Sequence, residues 1–165
     1  MLKNFIKQNL IALIMLTVLF FIDRFSKFFI LKLLEKDTIV DVYINSYLNL
    51  YLVWNKGIAF GLLSFNENTI YNIITVLILI IISIVLMMTI KSKGLKKYSF
   101  AAVLAGALGN VFDRIYYSAV PDFIDFHISG FHWFIFNIAD IFISLGVFCL
   151  ICAELFINKE IKENE

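Results

Sequence analysis

"IYNIITVLILIIISIVLMMTI", Ile70 to Ile90, carries no charged residue over its whole length. A helix needs about 20 consecutive apolar residues to cross the hydrocarbon core of a bilayer, and this stretch meets that length. The rest of the chain agrees with it. Of 165 residues, 61% are hydrophobic and 16% charged, and the mean hydropathy is +0.89. That exceeds the roughly 45–50% apolar content of soluble domains, so the bilayer is the expected solvent for much of the chain.

Working outward, three more stretches reach spanning length. "LIALIMLTVLFFIDRFSKFFI" covers about 10–30, "YSFAAVLAGALGNVFDRIYY" covers 98–117, and the last apolar run covers about 136–157. With 70–90 they predict a single integral membrane domain over residues 1–165, all-α with four transmembrane helices. The first span is too long for a removable signal peptide, and no small-x-small cleavage motif follows it. Lys3 and Lys7, the "KSKGLKK" connection with Lys91, Lys93, Lys96 and Lys97, and the carboxy-terminal Lys159 and Lys162 fall on one side of such a four-span topology. The positive-inside rule makes that side the cytoplasm, with both termini there.

The other side receives 31–69 and about 118–135. In the longer segment, "TIVDVYINSYLNLYLVWNKGIAFGLL" is rich in β-branched and aromatic residues, partly alternating, with Gly57 and Gly61 as turn signals. It predicts a small extracytoplasmic β-sheet, a cradle between the first and second helices. The net charge of +1 excludes the concentrated basic face that nucleic acid requires. Cys149 and Cys152 lie inside a helix-length apolar run, with no second pair to complete a zinc site, and read as small hydrophobes.

The acids are not scattered. Asp23, Asp113, Asp122, Asp125 and Asp140 all fall at the outer ends of spans or in the short outer segment. Charge in a span is expensive and faces protein or a water-filled cavity, so a shared polar site near the outer surface is expected. Asp23 and Lys27 share a helix face in the favourable acid-before-base order. Gly106, Gly109, Asn110 and Asp113 form one stripe, with Arg114 beside it, and the glycines suit close helix approach. In "FNIAD", Asn137 and Asp140 share a face with Ser144; Asn137 also suits a helix cap, with Asp140 favoured by the helix dipole.

"VPDFIDF", 120–126, holds two aspartates and the only proline, Pro121. Pro121 is expected to end any continuation of the third helix and to fix a turn presenting Asp122. Asp122, Asp125, His127, His132 and Asp140 raise a metal site, but the histidines lack the H-x-x-x-H helical spacing and no glutamate base follows them. No metal is expected, and both histidines are read as lying among interfacial aromatics. No G-x-S-x-G turn offers a serine nucleophile.

"DRFSK" at 23–27, "NKGIAFG" at 55–61, "GALGNVFDR" at 106–114, "VPDFIDF" at 120–126 and "FNIAD" at 136–140 together resemble the lipoprotein signal peptidase (signal peptidase II) family of membrane aspartic proteases. The resemblance runs over essentially the whole chain, in the family's order. It implies an aspartic endopeptidase that cleaves the signal peptide of diacylglyceryl-modified bacterial prolipoproteins just before the lipidated cysteine, using Asp122, Asp140 and water. It implies supporting roles for Asp23, Lys27, Asn55, Gly57, Asn110, Asp113, Arg114 and Asn137. No cofactor and no metal is implied; the partners are the lipid-modified substrate and membrane lipids, with the chain acting as a monomer in the bacterial cell membrane.

Pro121, Ile58 and Phe134 depart from residues common at those family positions and bear on local loop shape. The asparagines suit holding a substrate backbone or a developing oxyanion. Arg114 is expected to pair with Asp113 or steady a loop, and "WNKGIAFGLL" to cover the site as a flap. Asp125 is expected to orient its loop or meet solvent. The runner-up reading, a small transporter or proton relay, fits less well because the second span is apolar throughout and the acids crowd one end.

Overall fold

A computed structural model of the chain describes residues 2–36, 39–57, 68–128 and 131–163. Its elements are α1 (Leu2–Leu34), β1 (Asp41–Asn45), β2 (Leu48–Asn55), α2 (Asn68–Lys91), α3 (Gly94–Tyr117), β3 (Val120–Ile128), β4 (Phe131–Phe136) and α4 (Ile138–Glu163). Among the described residues, three helical stretches are long and apolar enough to cross a membrane: Ile6–Leu34, Tyr71–Lys91 and Ile138–Leu155. Phe21, Phe25 and Phe28 on α1, Ile80 and Ile81 on α2, and Phe148 and Ile151 on α4 are all exposed. A soluble protein would not cover three helices with such side chains; hydrocarbon is the medium they match.

α3 is as long as α2 but built differently. It packs against all three other helices, and small residues (Ala101, Ala105, Gly106, Gly109) make up much of its buried surface. A Cβ on Gly106 would run into the backbone carbonyl of Ala139, and one on Gly109 would sit 2.6 Å from Asp23 Oδ2. Gly146 of α4 lies just as tightly against Ser99 and Val103. The glycines bring α3 against α4 and α1, as the small-residue stripe predicts.

The sheet differs from the sequence expectation. It has four antiparallel strands in the order β1-β2-β3-β4, so only half of it comes from the segment between α1 and α2. The other half is residues 120–136, which the sequence reading treats as a connection. "VPDFIDF" is a strand and not a turn: α3 has already ended at Ser118, in the left-handed conformation with φ 55°, before Pro121 is reached. Proline is tolerated in β3 because its end of the strand is paired on one side only. Pro121 opposes Trp54 of β2, whereas pairing with β4 begins at Ile124. Ile30, Val40 and Phe123 form a small core that seats the sheet on the end of α1.

At the opposite end of the bundle, Lys97 of the "KSKGLKK" connection is buried. It is 1% exposed and donates to Asn9 Oδ1 at 2.7 Å, Thr89 O at 2.8 Å and Ile90 O at 3.0 Å. A cation here satisfies carbonyls that the end of α2 leaves without helical donors. Cys149 and Cys152 are free thiols within α4.

Candidate active site

β3 runs regularly between two irregular neighbours, and this determines which aspartate enters the site. Alternate residues of a strand face opposite sides, so Asp122 and Asp125, three apart, cannot share a face. Between Leu50 and Val53, β2 spends two residues opposite one of β3: Leu50 opposes Ile124, but Val53 opposes Asp122. This bulge brings Asn55, opposite Val120, onto the Asp122 face, where its Nδ2 donates to Asp122 Oδ2 at 2.9 Å.

The partner carboxylate comes from the start of α4. Asn137 caps this helix: Asp140 N donates to Asn137 Oδ1 at 3.2 Å, and Asn137 N donates to Asp140 Oδ2 at 3.1 Å. This is a reciprocal capping box, with aspartate in the place of the usual glutamate. The Asn137 side chain then extends across to Asp122, its Nδ2 donating to Oδ1 at 2.6 Å. One residue thus ties both carboxylates together. The helix cap expected of "FNIAD" is therefore present, and the same asparagine also reaches Asp122.

The fourth carboxylate oxygen, Asp140 Oδ1, accepts from Asn110 Nδ2 at 2.8 Å. Each of the three asparagines has its own carbonyl oxygen occupied: Asn55 by Gly57 N at 2.7 Å, Asn110 by Lys27 Nζ at 2.9 Å, Asn137 by Asp140 N. An amide whose oxygen is taken by a donor must turn its NH2 the other way, which fixes all three toward the aspartates. The sequence reading gave these amides to substrate or oxyanion; the structure gives them to the carboxylates.

Behind the dyad lies a buried ion cluster. Lys27 bonds Asp23 at 3.0 Å, as their helical spacing suggested, and Asp113 of α3 at 2.7 Å. Arg24 adds a second cation, holding Asp113 through both oxygens at 2.5 and 2.7 Å and Asp23 at 2.7 Å. Two carboxylates and two cations cancel, which is what allows Asp23 and Asp113 to be 0% exposed. Asp23 also accepts from Ala139 N at 3.0 Å, docking the first turn of α4. The sequence reading passed over Arg24 inside "DRFSK", although an arginine in an apolar span was itself a signal.

Arg114 does not pair with Asp113. It donates to the Gly57 carbonyl and lies over the Tyr71 ring at 5.5 Å, so the loop-steadying alternative is the one observed. Gly57 is buried, and the residues after it, where the flap reading falls together with Ile58, Ala59 and Gly61, lie outside those described. Asp125 neither meets solvent nor enters the dyad. It is buried on the opposite face of β3, 2.8 Å from His132 Nδ1.

The electrostatics follow from this arrangement. Burial, and then the neighbouring Asp140 carboxylate, push the Asp122 carboxyl up to about 6, against the Asn137 and Asn55 hydrogen bonds that favour its charged form. The four donors to the two carboxylates are neutral amides, so nothing bonded to them cancels their charge. A cavity of about 270 Å³ lined by Phe136, Asp140, Ile141, Ser144 and Leu145 opens beside Asp140. Its lining is almost wholly apolar.

An apolar helical bundle with two buried carboxyl groups joined through one asparagine, beside an apolar groove, fits the class of membrane hydrolases of the aspartic type. Comparison with known proteins narrows this class. Residues 15–156 match the family described as Signal peptidase (SPase) II. Over 164 residues the chain is 54% identical to a lipoprotein signal peptidase of Pelagibacter ubique (strain HTCC1062), covering 99% of this chain and 96% of that protein. It is 38% identical to one from Anaplasma phagocytophilum (strain HZ), covering 90% and 94%. A bacterial membrane enzyme solved at 2.3 Å superposes with a TM-score of 0.72 at 30% identity over 90% of each chain. A second, solved at 1.9 Å, gives 0.69 at 32% identity, covering 87% of this chain and 92% of that one. The chain belongs to the signal peptidase II family and is an integral membrane peptidase.

Proposed function

We propose that this protein cleaves the signal peptide of diacylglyceryl-modified prolipoproteins just before the lipidated cysteine, with Asp122 and Asp140 acting on water. The observation that carries the reading is the bridged pair: Asn137 bonded to both aspartates, and every carboxylate oxygen bonded to a neutral amide. One carboxylate takes a proton from water as it attacks the scissile carbonyl. The protonated partner donates a hydrogen bond to the carbonyl oxygen and then supplies the leaving amine with its proton. The pair titrates as a unit, so the single proton belongs to both. The groove beside Asp140 suits the apolar end of a signal peptide arriving from the bilayer.

The same reading includes four membrane spans, α3 being the fourth. Its polar stripe is covered by α1 and α4, which supports a spanning position for a helix less apolar than its neighbours. Both termini then lie in the cytoplasm and the sheet on the outer surface, in the bacterial cell membrane. There the lipid chains of the substrate stay in the bilayer while water reaches the bond from outside. A monomer suffices, since all the residues of the dyad and its supports come from one chain.

The test offers purified protein in detergent a diacylglyceryl-modified prolipoprotein, with Asp122→Asn and Asp140→Asn in parallel. Wild type should release the signal peptide. Each variant should lose cleavage by a factor of ~10²–10⁴, the range for a positioned acid or base. Full cleavage by either folded variant would remove the dyad.

A further inference from the structure

The hairpin of β3 and β4 carries a second polar cluster that the dyad does not use. Asp125 and His127 are two apart on β3 and so share the face opposite Asp122. His132 joins them because β4 also carries a bulge. Phe126 opposes Phe134, but His127 opposes His132, leaving Trp133 as the extra residue. Without that bulge Trp133 would occupy the position His132 holds. The side-chain donor atoms of Asp125, His127 and His132 all lie within 4.8 Å of one another. His132 Nδ1 is 2.8 Å and His127 Nδ1 3.8 Å from Asp125 Oδ2, and the two rings stack with centroids 5.0 Å apart.

A hydrogen bond between Asp125 and His132 accounts for only part of this. His127 Nδ1 is buried with no hydrogen-bond partner among the described residues, and the same is true of Asn49 Oδ1. Asn49 is the cross-strand neighbour of Asp125 on β2, so it shares that face. Two orphaned acceptor-capable atoms therefore flank one buried carboxylate, an arrangement that is costly unless a cation or a further donor sits among them.

We propose that Asp125, His127 and His132 bind one divalent transition-metal ion of the zinc class, clamping the hairpin whose first strand carries Asp122. Two imidazoles and a carboxylate are a borderline donor set suited to zinc, whose ligands at about 2.0–2.2 Å lie roughly 3.4 Å apart in a tetrahedron. The Nδ1–Oδ2 separations of 2.8 and 3.8 Å lie either side of that value. His132 is more than half exposed, its side chain at 57%, which leaves a route for the ion and a fourth position for water. Helical H-x-x-x-H spacing does not describe this set, because its three residues are brought together by a hairpin and its bulge. The inference is independent of the peptidase reading.

The test uses the full chain without a histidine tag, stripped with a chelator in detergent and titrated with zinc alone against a chromophoric competitor. About one zinc per chain should bind, and the thermal unfolding midpoint should rise by a few degrees as the ion stabilises the folded state. His127→Gln and His132→Gln should each weaken binding by ~10-fold or more and together abolish it, with near-UV circular dichroism and a monodisperse elution profile in detergent as the check of folding. Asp122→Asn should bind zinc as wild type does. X-ray absorption at the zinc edge of the wild-type protein should show scattering from two imidazoles, a readout that does not depend on any variant folding. Absence of stoichiometric binding, binding that survives the double histidine variant, loss with Asp122→Asn, or fewer than two imidazoles at the metal would each overturn the proposal.

Discussion

Lys27 is linked to Asp140 through a single amide: its ammonium donates to Asn110 Oδ1 at 2.9 Å, and Asn110 Nδ2 donates to Asp140 Oδ1 at 2.8 Å. The cation orients the dyad's partner without bonding the dyad itself. A direct ion pair would hold Asp140 ionised and spoil proton sharing; the asparagine carries direction and leaves the charge where it is.

Replacing Lys27 with methionine should therefore do two kinds of damage. Asp23 and Asp113 would share one cation, Arg24, in a site excluded from water, at a cost of about 3–5 kcal/mol. Asn110 would also lose the donor that fixes its orientation. Thermal unfolding in detergent should fall markedly, and cleavage at temperatures where the variant remains folded should be reduced in kcat rather than KM.

The raised carboxyl of Asp122 makes a stability prediction. Its folded value of about 6 lies above the ordinary 3.8, so the folded state holds the proton more tightly than the unfolded chain. The stabilisation is complete below about 3.8 and is lost as pH rises through about 6, in all about 3 kcal/mol at one pKa unit per 1.36 kcal/mol. Asp122→Asn should accordingly be inactive yet more stable than wild type at pH 7.5, with the difference shrinking toward pH 4.5. Midpoints of unfolding for both proteins across that range would check it; equal slopes would count against the assignment.

Asn55→Ala should move the pH profile rather than merely lower the rate. It removes a donor that favours ionised Asp122, so the Asp122 carboxyl rises further. The basic limb of kcat/KM against pH, where the pair loses its single proton, should shift to higher pH. Asp125→Asn, on the other face of β3, should leave that limb in place and retain most of the activity.

The glycines offer a packing test. Gly106→Ala places a methyl group against the Ala139 carbonyl, which belongs to the first turn of α4 and cannot give way without moving the helix that carries Asp140. Gly109→Ala meets the Asp23 carboxylate at 2.6 Å instead. Both should destabilise by about 1–3 kcal/mol, and Gly106→Ala should lose more activity for the same loss of stability. Unfolding midpoints and single-turnover cleavage measured side by side would separate the two.

The residues themselves determined a good deal. An uncharged run from Ile70 to Ile90 requires a low-dielectric surrounding whatever the rest of the chain does, and helical spacing alone placed Lys27 beside Asp23 and aligned Gly106, Gly109, Asn110 and Asp113. These are local or periodic properties, and a linear sequence records them directly. Tertiary structure decided what depends on register. The extra residue in β2 turns Asn55 toward Asp122, and the extra residue in β4 turns His132 toward Asp125; no local preference in either strand marks those positions, since a bulge exists only against its partner. The sheet's second half was read as a connection for the same reason, because "VPDFIDF" is a strand only once β2 and β4 lie beside it. The direction of each asparagine was set in the same way, by whichever donor the fold brought to its carbonyl oxygen.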